Sequence, residues 1–362
     1  MSQRELPRSI VEADRALHEL HLRVSYSRHL NPLNVTEALE AFKAGAEAPP
    51  FRYAPATWAS EELSRLSQLR VEPGHPFSEL LEQAIEYNAV FIHALSERTS
   101  EAFERLARSR GWLPDAALLE QASVERPGER PPSYGVSVEE MIRALDGALR
   151  RRGYEGWRVE RDPVMAARVL VDNPKRLIRV NSVARFSRED ITRLIAHEID
   201  VHVARGAAGE RQQLHLFSNG LPGSLETEEG LAIVAEELSG AANPGDRWRR
   251  ALVVRSVERA RHVGFRELHD WVAEQGGEPL ARAIATRLKR GLADPSRPGL
   301  FAKDIVYYRG ARCIRGLMES GADLSLLFVG KVSTEHPVRS WLDAGLLEAG
   351  VLPSLFRSAF SR

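Results

Sequence analysis

Two histidines five positions apart, inside a stretch of helical periodicity, constrain the fold of this chain more than any other feature. The segment reads His197-Glu198-Ile199-Asp200-Val201-His202. An ideal α-helix advances about 100° per residue, so side chains five positions apart point about 140° away from each other. A π-type turn holds one extra residue and would return both imidazoles to one face. The spacing therefore predicts a widened turn between His197 and His202 if both serve one site.

The flanking residues predict a helix around this segment and a second helix after it. Ser187 and Asp190 fit a capping box at the first helix start. The apolar residues that follow recur at helical spacing: Ile191, Leu194, Ile195, Ile199 and Val203. Gly206 is the predicted end of this helix. The second helix is predicted to run from an N-cap at Thr227 to Gly240, with Glu229 in its first turn.

These residue types are those of a one-zinc hydrolase. Catalytic zinc sites typically take three protein ligands and leave a fourth position for water. Zinc lowers the pKa of bound water from about 15.7 to about 7, which supplies a nucleophile at neutral pH. Glu198 follows His197 directly and is placed to take the proton from that water. The segment therefore favours a zinc metallopeptidase.

Simpler interpretations of the same residues exist. A single His-Glu-x-x-x-His run also arises by chance on the charged face of a helix. The Glu228-Glu229 pair is equally typical of an acidic first turn, which the helix dipole favours. The combination is more specific than either part, because one otherwise apolar region carries all of these groups.

Most of the chain resembles the QEGLA-motif family, bacterial proteins sometimes described as flavohaemoglobin-expression modulators. Its eukaryotic relatives include the microtubule-associated tyrosine carboxypeptidase. The resemblance rests mainly on residues 179–240, with the segments 197–202, 217–223 and 227–232. It extends to residues 301–304, 307–310 and 330–331, with weaker similarity at 31–32 and 51–55.

The resemblance implies a ligand set and a catalytic residue. It implies zinc (Zn2+) held by His197, His202 and Glu229, with Glu198 as the acid/base. The family motif usually has Gln at the position of Glu228, which is why Glu229 is taken as the third ligand. Asp200 stands where relatives often have a small residue, and orienting a ligand imidazole is one role open to it.

Candidate substrate-binding residues lie on a predicted helix near the end of the chain and in an earlier loop. On a helix predicted from Phe301, Tyr307 could donate to the oxyanion, and Lys303 or Arg309 could meet a terminal carboxylate. The alternative is that the tyrosine is half-buried and the cations are solvated. Lys331 is a further candidate cation. Two glycines, Gly220 and Gly223, would let a loop approach the substrate backbone, or serve only as turn residues.

Composition narrows the class of partner. The 362 residues include 50 basic and 50 acidic ones, so a general affinity for nucleic acid or anionic membranes has no electrostatic basis. No stretch approaches a membrane span, and the first residues lack a signal-peptide apolar region. Cys313 is the only cysteine, which fits a reducing compartment. The cytoplasm is therefore the expected location. The resemblance to the carboxypeptidase relative implies a peptide or protein C-terminus as the substrate.

The predicted fold is α+β and predominantly helical, with a zincin-like core. A small sheet is expected from the β-prone runs at residues 157–161, 167–171 and 177–180, directly before the histidine helix. A linker rich in proline and glycine at residues 123–135 predicts an N-terminal helical region, 1–130. The catalytic domain and the C-terminal helices would then occupy residues 131–362, although both parts could form one compact unit.

Three functions follow from these residues. The first is a zinc metallopeptidase, and the analogy with the tyrosine-trimming relative favours carboxypeptidase action. The second is a zinc-stabilised regulatory or scaffold protein without catalysis. An intact Glu198 argues against the second, because a structural site needs no base beside an open position. The third, a zinc hydrolase of non-peptide amides or esters, is not separable from the first by sequence.

Overall fold

A computed structural model describes residues 6–128, 134–163, 165 and 167–359. The chain is predominantly helical with one small sheet, so the α+β prediction is confirmed. Residues 129–133 of the predicted linker lie outside the described residues. No helix within the described ranges is both long and apolar enough to cross a membrane.

The helices before the sheet alternate with short turns. They are α1 (Arg8–Arg23), α2 (Tyr26–Leu30), α3 (Val35–Lys43), α4 (Ala59–Gln68), α5 (Ser78–Glu97), α6 (Ser100–Ser109), α7 (Ala116–Ser123) and α8 (Val138–Arg151). Helix α8 begins with a capping box in which Ser137 and Glu140 satisfy each other's backbone N–H groups.

The sheet has three short strands in the order β1-β3-β2. The strands are β1 (Arg158–Asp162), β2 (Val169–Asp172) and β3 (Leu177–Asn181). β3 is central, parallel to β1 and antiparallel to β2, so Ile178 lies opposite both Val159 and Val171. All three predicted β-runs are confirmed, and a 3-10 helix, Asn173–Lys175, lies between β2 and β3.

A continuous helical segment follows the sheet and carries the histidines. It consists of α9 (Arg188–Leu194), a π-helix (Ile195–Val203) and α10 (Ala204–Gly209). The predicted capping box is present, since Ser187 and Asp190 bond each other's backbone N–H groups. The predicted end at Gly206 was wrong, because the helix continues to Gly209. Gly206 instead lies against Asn173, whose side-chain amide would be only 1.8 Å from a Cβ at this position.

The remaining helices complete the chain. They are α11 (Leu216–Asn219), α12 (Ser224–Leu238), α13 (Asp246–Ala260), α14 (Phe265–Gly276), α15 (Glu278–Lys289), α16 (Ile305–Glu319), α17 (Val338–Asp343) and α18 (Ser354–Ala359). Short 3-10 helices cover Ala302–Asp304 and Leu324–Phe328. α12 begins at Ser224, three residues before the predicted start. Thr227 is therefore not its N-cap, and its hydroxyl accepts from the N–H of Thr334 at 3.0 Å.

The described chain divides into two compact units, each built from separated segments. The first comprises Met1–His18, Gly128–Asp246 and Arg309–Arg362, and the second comprises Glu19–Pro127 and Arg247–Tyr308. Neither unit coincides with the division predicted at residue 130. That division into an N-terminal region and a catalytic domain stays a prediction.

The sheet, α8, α9 and one side of the π-helix share a core in the first unit. Its fully buried members include Met141, Leu145, Ile178, Val180, Phe186, Ile199 and Val203. Burying each large apolar side chain contributes about 1.5–3 kcal/mol. Because Ile199 and Val203 face this core, the opposite side of the π-helix is turned towards α12, against which it packs.

Candidate metal centre

The π-helix brings the two predicted histidines together. The imidazole centroids of His197 and His202 are 4.8 Å apart, with an interplanar angle of 73°. A turn closed between residues i and i+5 holds one residue more than an α-turn, so positions five apart reach one face. The predicted widened turn is therefore confirmed, and it extends over nine residues, Ile195–Val203.

α12 carries a third group to the same place. One carboxylate oxygen of Glu229, Oε2, lies 3.8 Å from Nε2 of His197 and 3.8 Å from Nε2 of His202. Because α12 begins at Ser224, Glu229 lies in its second turn and not in the predicted first turn. The carboxylate is buried, with 7% of the residue exposed.

The donor set fits a zinc ion. Zinc takes imidazole nitrogen at about 2.0–2.1 Å and carboxylate oxygen at about 2.0–2.2 Å, so two tetrahedral ligands lie about 3.4 Å apart. The 3.8 Å between Glu229 and each Nε2 is close to that value. His197, Glu198 and His202 also form a group whose ligand atoms lie within 4.8 Å of one another. The two sets overlap, so Glu198 is beside the three candidate ligands.

Two further carboxylates bind the opposite nitrogens of the histidines. Nδ1 of His197 is 2.8 Å from Oε1 of Glu236, and Nδ1 of His202 is 2.7 Å from Oε1 of Glu228. An ionised carboxylate only accepts hydrogen bonds, so each Nδ1 is the donor. In the neutral imidazole, each Nε2 is then left with its lone pair on the side of Glu229.

Sequence analysis missed Glu236 and considered Glu228 only as an alternative ligand. A signal was available for Glu236, since it follows Glu229 by seven residues, two helical turns, and shares its face. Glu236 and Glu228 are buried in α12, at 2% and 4% exposure respectively. A buried ionisable residue needs a partner.

The charges of the centre are compensated by nearby cations. Burial alone raises the pKa of Glu228, but Lys331, Arg205 and His202 outweigh it and hold that pKa well below its ordinary range. Burial likewise opposes protonation of His197, yet Glu198, followed by Glu236 and Glu229, raises the pKa of this imidazole to about 9. The excess of carboxylates around His197 is an environment that attracts a cation.

Asp200 does not orient an imidazole. Its carboxylate forms a two-pronged ion pair with Arg152, which follows the last residue of α8, with Nη2 to Oδ2 at 2.9 Å and a shorter contact from Nε to Oδ1. The role considered for Asp200, orienting a ligand imidazole, is therefore wrong, because Glu236 and Glu228 are the carboxylates at the two Nδ1 atoms. The pair instead fastens the π-helix to α8.

The predicted glycine loop is beside the candidate cation Lys331. Gly220 and Gly223 have φ angles of 115° and 78°, which side chains other than glycine rarely adopt. The N–H of Leu221 donates to the carbonyl of Lys331 at 3.0 Å, and the N–H of Lys331 donates to the carbonyl of Phe217 at 2.7 Å. The ammonium of Lys331 lies 3.3 Å from Glu228. Both glycines therefore have a conformational reason to be present, and their substrate role stays a prediction.

The other substrate candidates are distributed over both units. Arg309 belongs to the first unit, where its guanidinium is paired with Glu226 at 2.5 Å. Lys303, in the 3-10 helix Ala302–Asp304, and Tyr307, in α16, belong to the second unit. The roles expected of Lys303 and Tyr307 stay predictions.

Comparison with known proteins yields one family. A family model described as microtubule-associated tyrosine carboxypeptidase matches residues 41–359. The chain is 32% identical to microtubule-associated tyrosine carboxypeptidase 1 of Mus musculus over 181 residues, 48% of this chain and 38% of the relative. It is 31% identical to the Rattus norvegicus protein of that name over 202 residues, 54% of this chain and 42% of the relative. The chain is 31% identical to the Homo sapiens protein of that name over 180 residues, 48% of this chain and 37% of the relative. The chain thus spans less than half the length of these relatives.

Proposed function

Because the chain belongs to the microtubule-associated tyrosine carboxypeptidase family, we propose that it is a zinc-dependent metallopeptidase acting on the C-terminus of a peptide or protein. The observation that carries the proposal is the convergence of His197, His202 and Glu229 beside Glu198. The π-helix and α12, next to the small sheet, also support the proposal of a zincin-like core. The names of the relatives make a C-terminal tyrosine the first residue to test.

The residues of the centre divide into holders and a proton carrier. Nε2 of each histidine and Oε2 of Glu229 would hold the zinc ion. When bound, zinc supplies a Lewis acid for the substrate carbonyl and makes water a nucleophile near pH 7. Glu198 accepts a proton as water attacks, and later gives it to the leaving amine. Its burial, with 6% of the residue exposed, keeps bulk water from competing for that proton.

Substrate binding is assigned to the groups outside the centre. Arg309, which lies in the same unit as the centre, would bind the terminal carboxylate. Arg309 would have to exchange Glu226 for the substrate, because the two are paired at 2.5 Å. The loop with Gly220 and Gly223 would approach the peptide backbone. Loss of the terminal-carboxylate cation should raise KM for free C-termini more than it lowers kcat.

The decisive experiment compares the native chain with Glu198→Gln. Both proteins are assayed for zinc content and for trimming of a peptide library that includes C-terminal tyrosine. We expect one zinc per chain in both, and a rate lower by about 10²- to 10⁴-fold in the variant, the usual contribution of general acid–base catalysis. Glu237→Gln is the matched control, because Glu237 is a glutamate of α12, the helix that carries Glu229, but pairs with Arg315.

Each alternative function has its own outcome in this assay. Zinc in the native chain without cleavage of any peptide would favour a scaffold protein. Hydrolysis of esters or non-peptide amides alone would favour the third function. Full activity in Glu198→Gln would remove Glu198 from the mechanism.

A further inference from the structure

Both histidines of the centre are held from behind by the same arrangement. In each case a buried carboxylate on α12 accepts from Nδ1, at 2.8 Å for Glu236 and 2.7 Å for Glu228. In each case a buried or half-buried arginine binds that carboxylate in turn: Arg193 for Glu236, Nη1 to Oε1 at 3.0 Å, and Arg205 for Glu228. The repetition at two sites indicates a function that both imidazoles share.

The chain of ion pairs behind His197 reaches the start of an edge strand. Arg193 donates to Glu236 and also to Asp190, the latter at 2.6 Å. Asp190 in turn accepts two hydrogen bonds of 2.8 Å from Arg168. Arg168 immediately precedes β2, which is at one side of the sheet. Asp190 therefore caps α9 and also connects the strand to the imidazole.

The groups behind His202 reach the other end of the same strand. Arg205 is completely buried and, besides Glu228, donates to the carbonyls of Leu327 and Val332 at 2.8 and 2.6 Å. Lys331 lies 3.3 Å from Glu228. Asn173 directly follows β2, and the orientation of its amide that satisfies both neighbours accepts from Lys331 at 2.7 Å and donates to the carbonyl of His202 at 3.3 Å.

We infer that Glu236 and Glu228 are positioning residues for His197 and His202, and that β2, through Arg168–Asp190–Arg193 and Asn173–Lys331, sets where these carboxylates lie. This inference rests on the proposed zinc centre. A carboxylate at Nδ1 fixes the tautomer and the ring orientation and makes Nε2 a better donor to a metal. Arg193 and Arg205 hold these carboxylates in place through ion pairs, with Arg193 donating to Glu236 at 3.0 Å and Arg205 donating to Glu228.

The test measures zinc affinity directly, without any assay of cleavage. Apparent dissociation constants are obtained by competition with a chromophoric chelator for the native chain and for the alanine and glutamine variants of Glu236 and Glu228. We expect Glu236→Ala and Glu228→Ala to weaken zinc binding by about 10- to 100-fold. The glutamine variants should regain part of the loss, since an amide oxygen still accepts from Nδ1. Glu237→Ala, on the same helix and paired with Arg315, is the control.

A second measurement separates positioning from general damage. Arg193 binds Glu236 and not the histidine, so Arg193→Gln should weaken zinc binding less than Glu236→Ala, and the double variant should be no weaker than Glu236→Ala alone. The cobalt-substituted protein should show a changed visible spectrum in the Glu236 and Glu228 variants but not in Glu237→Ala. Thermal unfolding of the metal-free proteins identifies any variant that has lost its fold.

The outcomes distinguish the inference from the proposed function. A native chain that binds no zinc would refute the proposed centre itself. A native chain that binds zinc, with folded alanine variants of unchanged affinity and spectrum, would refute only the positioning role. If the losses of zinc affinity in Arg193→Gln and Glu236→Ala add up in the double variant, Arg193 does not act through Glu236. That result would refute the proposed connection from β2 to His197.

Discussion

Glu228 and Glu236 decide which nitrogen of each histidine faces Glu229. Both sit on α12, and both accept from Nδ1, so the two Nε2 atoms lie at the same 3.8 Å from one carboxylate oxygen. A histidine alone can present either ring nitrogen, and its neighbours select one. At the scale of single residues, the centre is thus built by hydrogen bonds to the side of the ring that does not face Glu229.

Asp304, a buried carboxylate of the second unit, allows a prediction about how stability depends on pH. Burial alone raises the pKa of Asp304, but Arg287 and Arg290 outweigh it and lower that pKa to about 2. An aspartate in an unfolded chain has a pKa of about 3.9. Since the folded value is the lower one, the stabilisation is complete above about pH 5 and is lost as the pH falls towards 2.

Asp304→Asn should therefore lower the free energy of unfolding by about 2 kcal/mol at pH 7 and by much less at about pH 2. Urea unfolding of the native chain and the variant at both pH values measures this difference. Glu274→Gln, an exposed position of the same unit, serves as the control and should change little at either pH. A loss that is equal at both pH values would contradict the assigned charge of Asp304.

At the scale of elements, the centre depends on a π-helix pressed between a core and α12. Ile199 and Val203 fix one side of the π-helix in the core of the sheet. The ion pair from Asp200 to Arg152 fastens the same segment to α8. π-turns are rare and often occur at functional sites, because the extra residue costs helix stability that other contacts must supply. These contacts explain how nine residues hold this geometry.

The crossing of α12 and α16 gives a prediction at this scale. A Cβ added at Gly310 would lie 2.1 Å from the carbonyl oxygen of Glu226, which is backbone and cannot move aside easily. Gly310→Ala should therefore destabilise the protein by about 1–3 kcal/mol, the usual range for overpacking. Gly316, on the same helix, has no atom within 4 Å of its added Cβ.

The matched variant Gly316→Ala should instead be neutral or stabilising by up to about 1 kcal/mol, since alanine is the better helix former. Thermal or urea unfolding of the two variants measures both effects. Equal stability of the two alanine variants would show that the helices do not cross as closely as the structure has them.

At the scale of the molecule, the candidate centre lies within one of two units. Every group in it, from the π-helix to α12 and Lys331, belongs to the first unit. The first unit is assembled from three separated segments of the chain, so contacts distant in sequence create the centre. A ligand that binds only the folded state stabilises it, by about 4 kcal/mol when present at 1,000 times its Kd.

Removal of zinc by a chelator should therefore lower the unfolding midpoint of the native chain. Glu229→Ala, which lacks a proposed ligand, should show a much smaller shift. Hydrogen exchange should locate the effect, with faster exchange of Ile195–Val203 and Ser224–Leu238 after chelation and no change in α5 (Ser78–Glu97), part of the second unit. An identical shift of the unfolding midpoint in the native chain and in the variant would show that Glu229 is not a zinc ligand.

The sequence alone determined the local features of this protein. Patterns within about ten residues predicted the capping box of Ser187 and Asp190, the three β-runs and the widened turn between His197 and His202. These features are set by local hydrogen bonding and side-chain periodicity. The predicted helix ends were less accurate. Gly206 lies inside a helix, where it leaves room for Asn173, and α12 starts before Thr227.

Only the tertiary structure decided which partners meet across the chain. Glu236 rather than Asp200 binds an imidazole, Glu228 is held by Arg205 and Lys331, and Arg309 is paired with Glu226. These pairs join residues between 23 and 103 positions apart, 205 to 228 and 228 to 331. No local pattern selects one distant carboxylate over another, because burial and packing of whole helices determine which charges lose their water and must be paired.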